Sequence, residues 1–457
     1  MKTAQSEALL FLTMTNLLFS CEQLLHERFL QTDLGKLYLA IPFDQLASSI
    51  QSPKHSMSGR GRKPWFDVKG AIGLMILKHY LNVSDEILIE RINTDWSMQL
   101  FCGIRLREDE CIADTNLPSY WRGYLGRHLD INVLQKQLAA YWKPYMEQTQ
   151  IGMQDATCYE SRIAHPTDIK LLWQCCHEVH LLLQDKRKTL RLRKSRNNYD
   201  KHHKAFLSYQ KTKKKSHRQE KKLRKKILKY VSRLLHLLEE LQQQYPTIAL
   251  SLRQQKRLRT IQKIYEQQHA KAYGDIPITD RIVSLSKPYI RPIVRGKETK
   301  KVEFGAKVNK LLVDGISFIE HFSYDAFNEG THYQQAIFLQ RGLFGKCTHH
   351  SADAIYATNL NRKYSTSQNI VTNFIPKGRQ KQRDIEAAKI IRGVLNKARG
   401  TILEGSFGND KNHYLLQKVN ARNEYTEKCW IFFGILTANA SIISQRIQKA
   451  LQQTRAA

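Results

Sequence analysis

Three acidic residues stand in settings where carboxylates do chemistry. Asp155 lies within Ile151 to Glu160, a stretch that reads as a strand, where charged residues are depleted. Asp353 follows a short apolar segment interrupted by His349 and His350. It precedes Ala354-Ile355-Tyr356, again strand-like or at a strand end. Glu404 opens a predicted helix after Gly400-Thr401-Ile402-Leu403. Such a set suits phosphodiester chemistry, in which two divalent ions about 3.5–4 Å apart activate the attacking oxygen and stabilise the leaving one. Carboxylates are the hard ligands that Mg²⁺ prefers, one bridging both ions and the others each holding one side. Plainer roles compete. Asp155 could cap a strand end, Asp353 could be a helix N-cap, and Glu404 could favour the positive end of its helix. Asp314, in Leu312-Val313-Asp314-Gly315, is the rival second carboxylate and reads as a strand-turn Asp-Gly. With 41 acids in the chain, the triple gains weight only from the residues around each member.

The elements that would position these acids alternate. Strands are predicted at Lys310 to Val313, Ile316 to His321 and Asn369 to Phe374. Helices are predicted from Asp168 to Leu183, Asp384 to Arg399, Glu404 to Val419 and Trp430 to Leu451. Strands alternating with long helices argue an α/β domain. Lys411 lies seven residues after Glu404, two helical turns on, so both point to one face. Asp168, after Pro166-Thr167, reads as an N-cap. Residues 1 to about 135 read as helical. Val68, Ile72, Met75, Ile76 and Tyr80 line one side of a helix from Asp67. Asn82-Val83-Ser84 is a turn, with Ser84 capping a second helix through Ile92. Such a pair is either a helix-turn-helix or a helical packing domain. A basic linker at Pro53 to Lys63 holds Arg60, Arg62 and Lys63.

Charge narrows the function. The 457 residues leave room for two or three domains, and 42% hydrophobic content allows a large core. The 73 Lys and Arg against 41 Asp and Glu give a formal charge of +32. A field of that size implies a polyanionic partner. Nucleic acid fits best, because each neutralised phosphate releases counterions; a membrane surface or the ribosome also fits charge alone. Residues 186–230 hold 20 Lys or Arg and two acids, Asp200 and Glu220, a local excess of 18. Leu223, Ile227, Tyr230, Leu234, Leu237 and Leu241 then recur at heptad spacing, predicting an inserted helical hairpin or short coiled coil with a basic arm. Lys213, Lys214 and Lys215 in that arm are read as a grip on the DNA backbone rather than a solvated face. Lys307, Lys310, Arg379, Lys381 and Arg383 are further plausible phosphate contacts, and His349 and His350 read as structural or DNA-facing. Eight scattered Cys without a C-x-x-C pair exclude a zinc ribbon and read as reduced and cytoplasmic. The apolar run Ala8 to Phe19 reads as a buried amphipathic helix rather than a leader. No apolar run is long enough to span a membrane.

Three blocks, in order, carry a family resemblance. Gln154-Asp155-Ala156-Thr157, with His165-Pro166-Thr167-Asp168-Ile169-Lys170-Leu171-Leu172 behind it, resembles the first catalytic strand of insertion-sequence DDE transposases. Asp353 to Arg362 resembles their second aspartate block, and Arg399 to Tyr414 their glutamate block. Ile41-Pro42-Phe43-Asp44-Gln45-Leu46 and the helices from Gly70 to Ile92 resemble the N-terminal domain of the insertion-sequence families numbered four and five. The resemblance implies an α/β fold with a ribonuclease H-like catalytic domain, Mg²⁺ or Mn²⁺ dependence, and cut-and-paste action on terminal inverted repeats. It implies that Asp155, Asp353 and Glu404 hold the metals, and that Lys411 contacts DNA. The family often has an arginine four residues before the glutamate; here Gly400 stands there, and Arg399 is one step off. The expected organisation is a helical DNA-binding domain at 1–140, a catalytic domain at 141–185 and 276–457, and the basic insert at 186–275. The expected partners are duplex DNA and a second copy of the chain, in the cytoplasm at the nucleoid, with no membrane. A catalytically inactive DNA-binding repressor derived from such an enzyme is the competing reading, and a ribosome- or RNA-associated basic protein is a third.

Overall fold

Side-chain caps set the helix starts of the N-terminal region. In the computed structural model, which describes residues 23–53, 64–274, 276–294, 302–377 and 382–456, Thr32, Asp67, Ser84, Asp95 and Asp130 each accept from backbone amides of the helix they precede. The helices are α1 (Asp33–Leu39), α2 (Phe43–Ser48), α3 (Val68–Leu81), α4 (Asp85–Thr94), α5 (Trp96–Phe101), α6 (Leu117–His128) and α7 (Ile131–Trp142). Next come β1 (Ile151–Ser161), α8 (Asp168–Thr189), α9 (Tyr199–Lys211), α10 (His217–Gln244), α11 (Leu252–Tyr273), β2 (Pro292–Val294), β3 (Val302–Val313) and β4 (Ile316–Ser323). They are followed by α12 (Tyr333–Phe344), β5 (His349–Ala352), α13 (Asn359–Ser367), β6 (Val371–Thr372), α14 (Gln382–Ala398), α15 (Glu404–His413), β7 (Lys418–Val419) and α16 (Glu424–Ala456). The fold is mixed α/β. The chain forms two compact units, one of residues up to Ser161 with Lys307–Ser323 and Phe327–Ala457, the other of Arg162–Ala306 with Tyr324–Ala326.

In the first unit the sheet order is β4-β3-β1-β5-β6, with β7 beside the far end of β1. β1, β5 and β6 run parallel, and β4 is antiparallel to β3. The β3–β4 hairpin turns on Asp314 (φ +50°) and Gly315 (φ +78°), the conformation that suits a two-residue turn between twisted strands. Asp314 therefore holds the turn, accepting from Arg446 at 2.8 Å and from the Glu147 amide at 3.0 Å. Helix α16 packs against α1, α3, α6 and β4 and buries Trp430, Ile431, Phe432 and Phe433. The expected one-sided pattern of α3 proves wrong. From Val68 to His79 it is buried nearly all round, because α2, α6 and α16 cover it from several directions. The face that α4 leaves exposed holds Glu86, Ile87, Glu90 and Arg91, so the α3–α4 pair packs without presenting a basic helix. The helix expected to reach Val419 stops at His413. Leu415 takes φ +58°, and Lys418–Val419 pairs with the end of β1 instead.

In the second unit α10 packs against α8 and α11. Ser216 and Ser251 open α10 and α11 with capping boxes. Of the heptad series, Ile227, Tyr230, Leu234 and Leu241 are buried in one cluster with Ile169, Leu172, Cys176, Val179 and Leu183 of α8. The stripe is thus spent inside a helical bundle and leaves no open seam. Asp168 is not the cap expected of it. Thr167 caps α8, and the Asp168 carboxylate is buried among Lys271 (2.7 Å), Arg281 (2.7 Å), Arg224 (3.3 Å) and the Gln268 amide (2.9 Å). Ala8 to Phe19 lies outside the described residues. Among the described residues no helix is long and apolar enough to cross a membrane.

Candidate active site

Strand register brings the two aspartates level. β1 and β5 pair in parallel from Ile151↔His349 to Gln154↔Ala352. Asp155 and Asp353 are the next residues on the two strands, side by side where β5 ends and β1 runs on to Ser161, so that Asp353 stands at the carboxyl end of its strand, where α/β sheets commonly bind ligands. The Asp155 carboxylate accepts from the Ala156 amide at 2.8 Å, and that of Asp353 from the Ala354 amide at 2.8 Å. Asp353 therefore caps the short 3₁₀ turn Ala354–Tyr356 with one carboxylate oxygen.

The third acid arrives through an irregular helix. Between α14 and α15, Arg399–Leu403 forms a π-turn, and the Glu404 N–H donates to the Arg399 carbonyl. Such turns are rare and frequently sit at functional sites. The Arg399 guanidinium lies 3.5 Å from Asp155, 3.7 Å from Asp353 and 3.9 Å from Glu404. Acids more than 190 residues apart in the chain thus share one cation. Arg399 Nε is buried without a hydrogen-bond partner, so the guanidinium is held by charge on its outer nitrogens alone.

The electrostatics are unbalanced. Burial pushes the Asp155 carboxyl up to about 6. The Ala156 amide and Arg399 oppose this, while the charges of Glu329 and Asp353 reinforce it. Glu329 reaches the site from a 3₁₀ turn, Glu329–His332. This turn is tied down where the Gln154 side chain donates to the His332 carbonyl at 3.0 Å, and where Asn361 donates to Gly330 and Tyr356. Lys307 pairs with Glu329 at 2.7 Å. In donor type and charge, three carboxylates around one cation, the most buried of them short of compensation, fit a divalent ion. Among the described residues no three such groups stand close enough to hold one as they are, since Arg399 lies between them.

Helix α15 runs along one face of β1. Asp155, Thr157 and Tyr159 alternate on that face. Lys411 Nζ donates to Thr157 Oγ1 at 2.9 Å, and the Tyr159 hydroxyl donates to Asp410 at 2.7 Å. Lys310, from β3, is wholly buried and meets the same Asp410 oxygen at 2.6 Å. The phosphate contact expected of Lys310 is therefore excluded by its burial and its ion pair. Lys307 is likewise buried and paired. Sequence reading missed Asp410, Tyr159 and Glu329. The available signal was Lys310 set within Val308-Asn309-Lys310-Leu311-Leu312-Val313, an otherwise uncharged run.

Of the other residues singled out, Lys213, Lys214 and Lys215 sit on the exposed turn between α9 and α10 of the second unit. His350 is buried against Gln154 at 3.0 Å and is held near 3 by burial, so it is neutral and structural. Arg60, Arg62, Lys63, Arg379 and Lys381, and the side chain of Arg383, lie outside the described residues.

Residues 18–123 match the family described as Transposase domain (DUF772). The match runs from before α1 into α6, under a quarter of the chain, and supports a transposase. No curated protein and no solved structure matches the chain.

Proposed function

We propose that this chain is a DDE transposase with a ribonuclease H-like catalytic domain, cutting at terminal inverted repeats and transferring the freed end into target DNA. The observation that carries the reading is the convergence of Asp155, Asp353 and Glu404, from three separate segments, on Arg399. The mixed sheet with acids side by side on two central parallel strands, Asp155 within β1 and Asp353 just past β5, supports it, as does the transposase-domain match ahead of β1.

The chemistry asks for two displacements at phosphorus. Water attacks the phosphodiester at the element end, and the 3′ oxygen leaves as a hydroxyl. That hydroxyl then attacks a target phosphodiester, whose own 3′ oxygen leaves. Mg²⁺ or Mn²⁺, held by Asp155, Asp353 and Glu404, would supply Lewis-acid polarisation of the scissile group. Arg399 keeps the three carboxylates together beforehand and is long enough to turn to a DNA phosphate afterwards. Lys411 steadies α15 on β1 and lies on the side from which DNA would approach Glu404. Lys213, Lys214 and Lys215, with the basic linker at Arg60, Arg62 and Lys63, hold the backbone. Two element ends must be cut together, so the active form is a dimer on DNA.

The test is single-turnover cleavage of duplex DNA carrying the ends that flank the gene, in Mg²⁺, by the wild-type chain and by Glu404→Gln. A loss of roughly a hundred-fold or more, with DNA binding retained, is expected from removing one metal-binding carboxylate. Equal rates would end the enzymatic reading and leave a DNA-binding repressor.

A further inference from the structure

Asp155, Thr157 and Tyr159 span about 13 Å of strand at about 3.3 Å per residue. Glu404 to Lys411 spans about 10 Å of helix at 1.5 Å per residue. Helix and strand are joined directly at Lys411–Thr157 and Asp410–Tyr159, and through Arg399 at Asp155 and Glu404. Between them stands a cation with no route to solvent. Lys310 Nζ is 2.6 Å from Asp410 and donates to Ser406 Oγ at 3.2 Å; its charge also lies 4.8 Å from the centre of the Phe407 ring. Ser406 in turn donates to the Leu403 carbonyl at 2.7 Å, on the residue before Glu404. Lys310 and Asp410 are 0% and 2% exposed, and both pay the cost of leaving water. A well-packed apolar set of the same volume would often be as stable or more so. What an ion pair adds is direction: it fixes the rotation and height of the helix at one setting, whereas apolar contacts tolerate sliding.

We propose that Lys310 is a positioning residue for Glu404, acting through Asp410, Ser406 and Tyr159 to fix α15 on β1 so that Glu404 stays beside the Arg399 guanidinium that Asp155 also meets. This rests on the transposase reading for its consequence, but not for its geometry. Lys310 touches neither substrate nor metal and works only through the helix.

The test compares the full-length wild type with K310M and with K310M/Y159F/D410L, which removes the polar set together and leaves no buried group unpaired. Three quantities are read: thermal midpoint, DNA affinity, and single-turnover cleavage in Mg²⁺. A fourth is the rate at which a short bis-thiol-reactive linker, about as long as the lysine side chain it replaces, bridges Cys introduced at Thr157→Cys and Lys411→Cys, measured in each background. K310M is expected to be unstable. The triple variant is expected to regain most of the wild-type midpoint and bind DNA as the wild type does. It should nevertheless cleave at least ten-fold slower and form the 157–411 cross-link several-fold slower. A merely structural role predicts that cleavage and cross-linking recover with the midpoint, and that result would overturn the proposal. If the wild type does not cleave but the cross-link still slows, the transposase reading fails and the positioning role stands. An unchanged cross-link refutes positioning whatever the cleavage result.

Discussion

Replacing Asp155 with asparagine should stabilise the metal-free protein and, on the transposase reading, abolish cleavage. The Asp155 carboxyl is only 20% exposed, and burial with neighbouring acids lifts it from 3.8 to about 6. At neutral pH the folded chain therefore holds a charge that it disfavours relative to the unfolded chain. The difference is about 2 units at 1.36 kcal/mol each, or about 3 kcal/mol as an upper figure. The sign follows from proton counting. Between pH 4 and 6 the folded state keeps the proton and the unfolded state has lost it, so wild-type stability falls as pH rises through that window. Asp155→Asn lacks this dependence. Urea unfolding in EDTA should give nearly equal stabilities near pH 4 and an advantage for the variant of up to about 3 kcal/mol by pH 7.5. Titrating groups that do not interact with Asp155 cancel in the difference. Mg²⁺ at many times its dissociation constant should then favour the wild type, since a ligand of the native state stabilises by RT ln(1 + [L]/Kd). A variant less stable than wild type at pH 7.5, or a difference that does not change with pH, would refute the claim that this carboxyl is held under electrostatic strain.

Two further outcomes bear on the second unit. Asp168→Asn should destabilise it by about 3 kcal/mol, from losing a buried carboxylate and leaving buried Arg224 with Glu220 alone. Lys271 and Arg281 are more than a third exposed and add little. Burial alone would raise the Asp168 carboxyl, but Lys271, Arg281 and Gln268 hold it below its usual range. Its contribution is therefore present above about pH 4 and lost only as pH falls through the lower folded value; hydrogen exchange of α8 amides in wild type and variant would show it. Replacing Lys213, Lys214 and Lys215 with Gln should weaken DNA binding regardless of sequence and flatten the dependence of log K on log salt by up to about 0.9 per lost phosphate contact. An unchanged slope in a filter-binding titration would remove this turn from the DNA interface.

The sequence displayed the acids but not what surrounds them. Asp155 was legible because a charge inside a β-rich run is out of place, and Asp353 because an Asp follows a short apolar run. Their shared level needed the register Gln154↔Ala352, a pairing between segments about 200 residues apart that no local pattern encodes. Asp314 was legible because Asp-Gly between strands has one good conformation. Lys310 was misread because charge on a lysine points to solvent by default, and only the fold supplies Asp410 a hundred residues on. The α3 pattern misled for the opposite reason: enough polar positions to look one-sided, yet neighbours on every side. The heptad series was real, and its buried members pack against α8 and α11.

Arg399 shows why spacing in residues is only a proxy for spacing in ångströms. An α-helix closes one turn with a hydrogen bond from i to i+4, so a side chain four residues before Glu404 would lie above it on one face. Here Gly400 stands at that position and has no side chain to offer. The π-turn closes with a bond from i to i+5, and the bond from Glu404 N–H to the Arg399 carbonyl is that closure. One extra residue is absorbed in one wider turn, and Arg399 returns over Glu404 as an arginine four back would in a regular helix. Its 3.9 Å approach to Glu404 follows from the turn rather than from sequence position. A single-residue deletion within Gly400–Thr401 would restore α-helical spacing without moving either charged residue off its face. An insertion there would turn Arg399 away from all three acids. On the transposase reading, then, the deletion should keep more cleavage than the insertion although both change the chain by one residue, and the reverse order would show that the π-turn itself, not the angle it sets, is what the site requires.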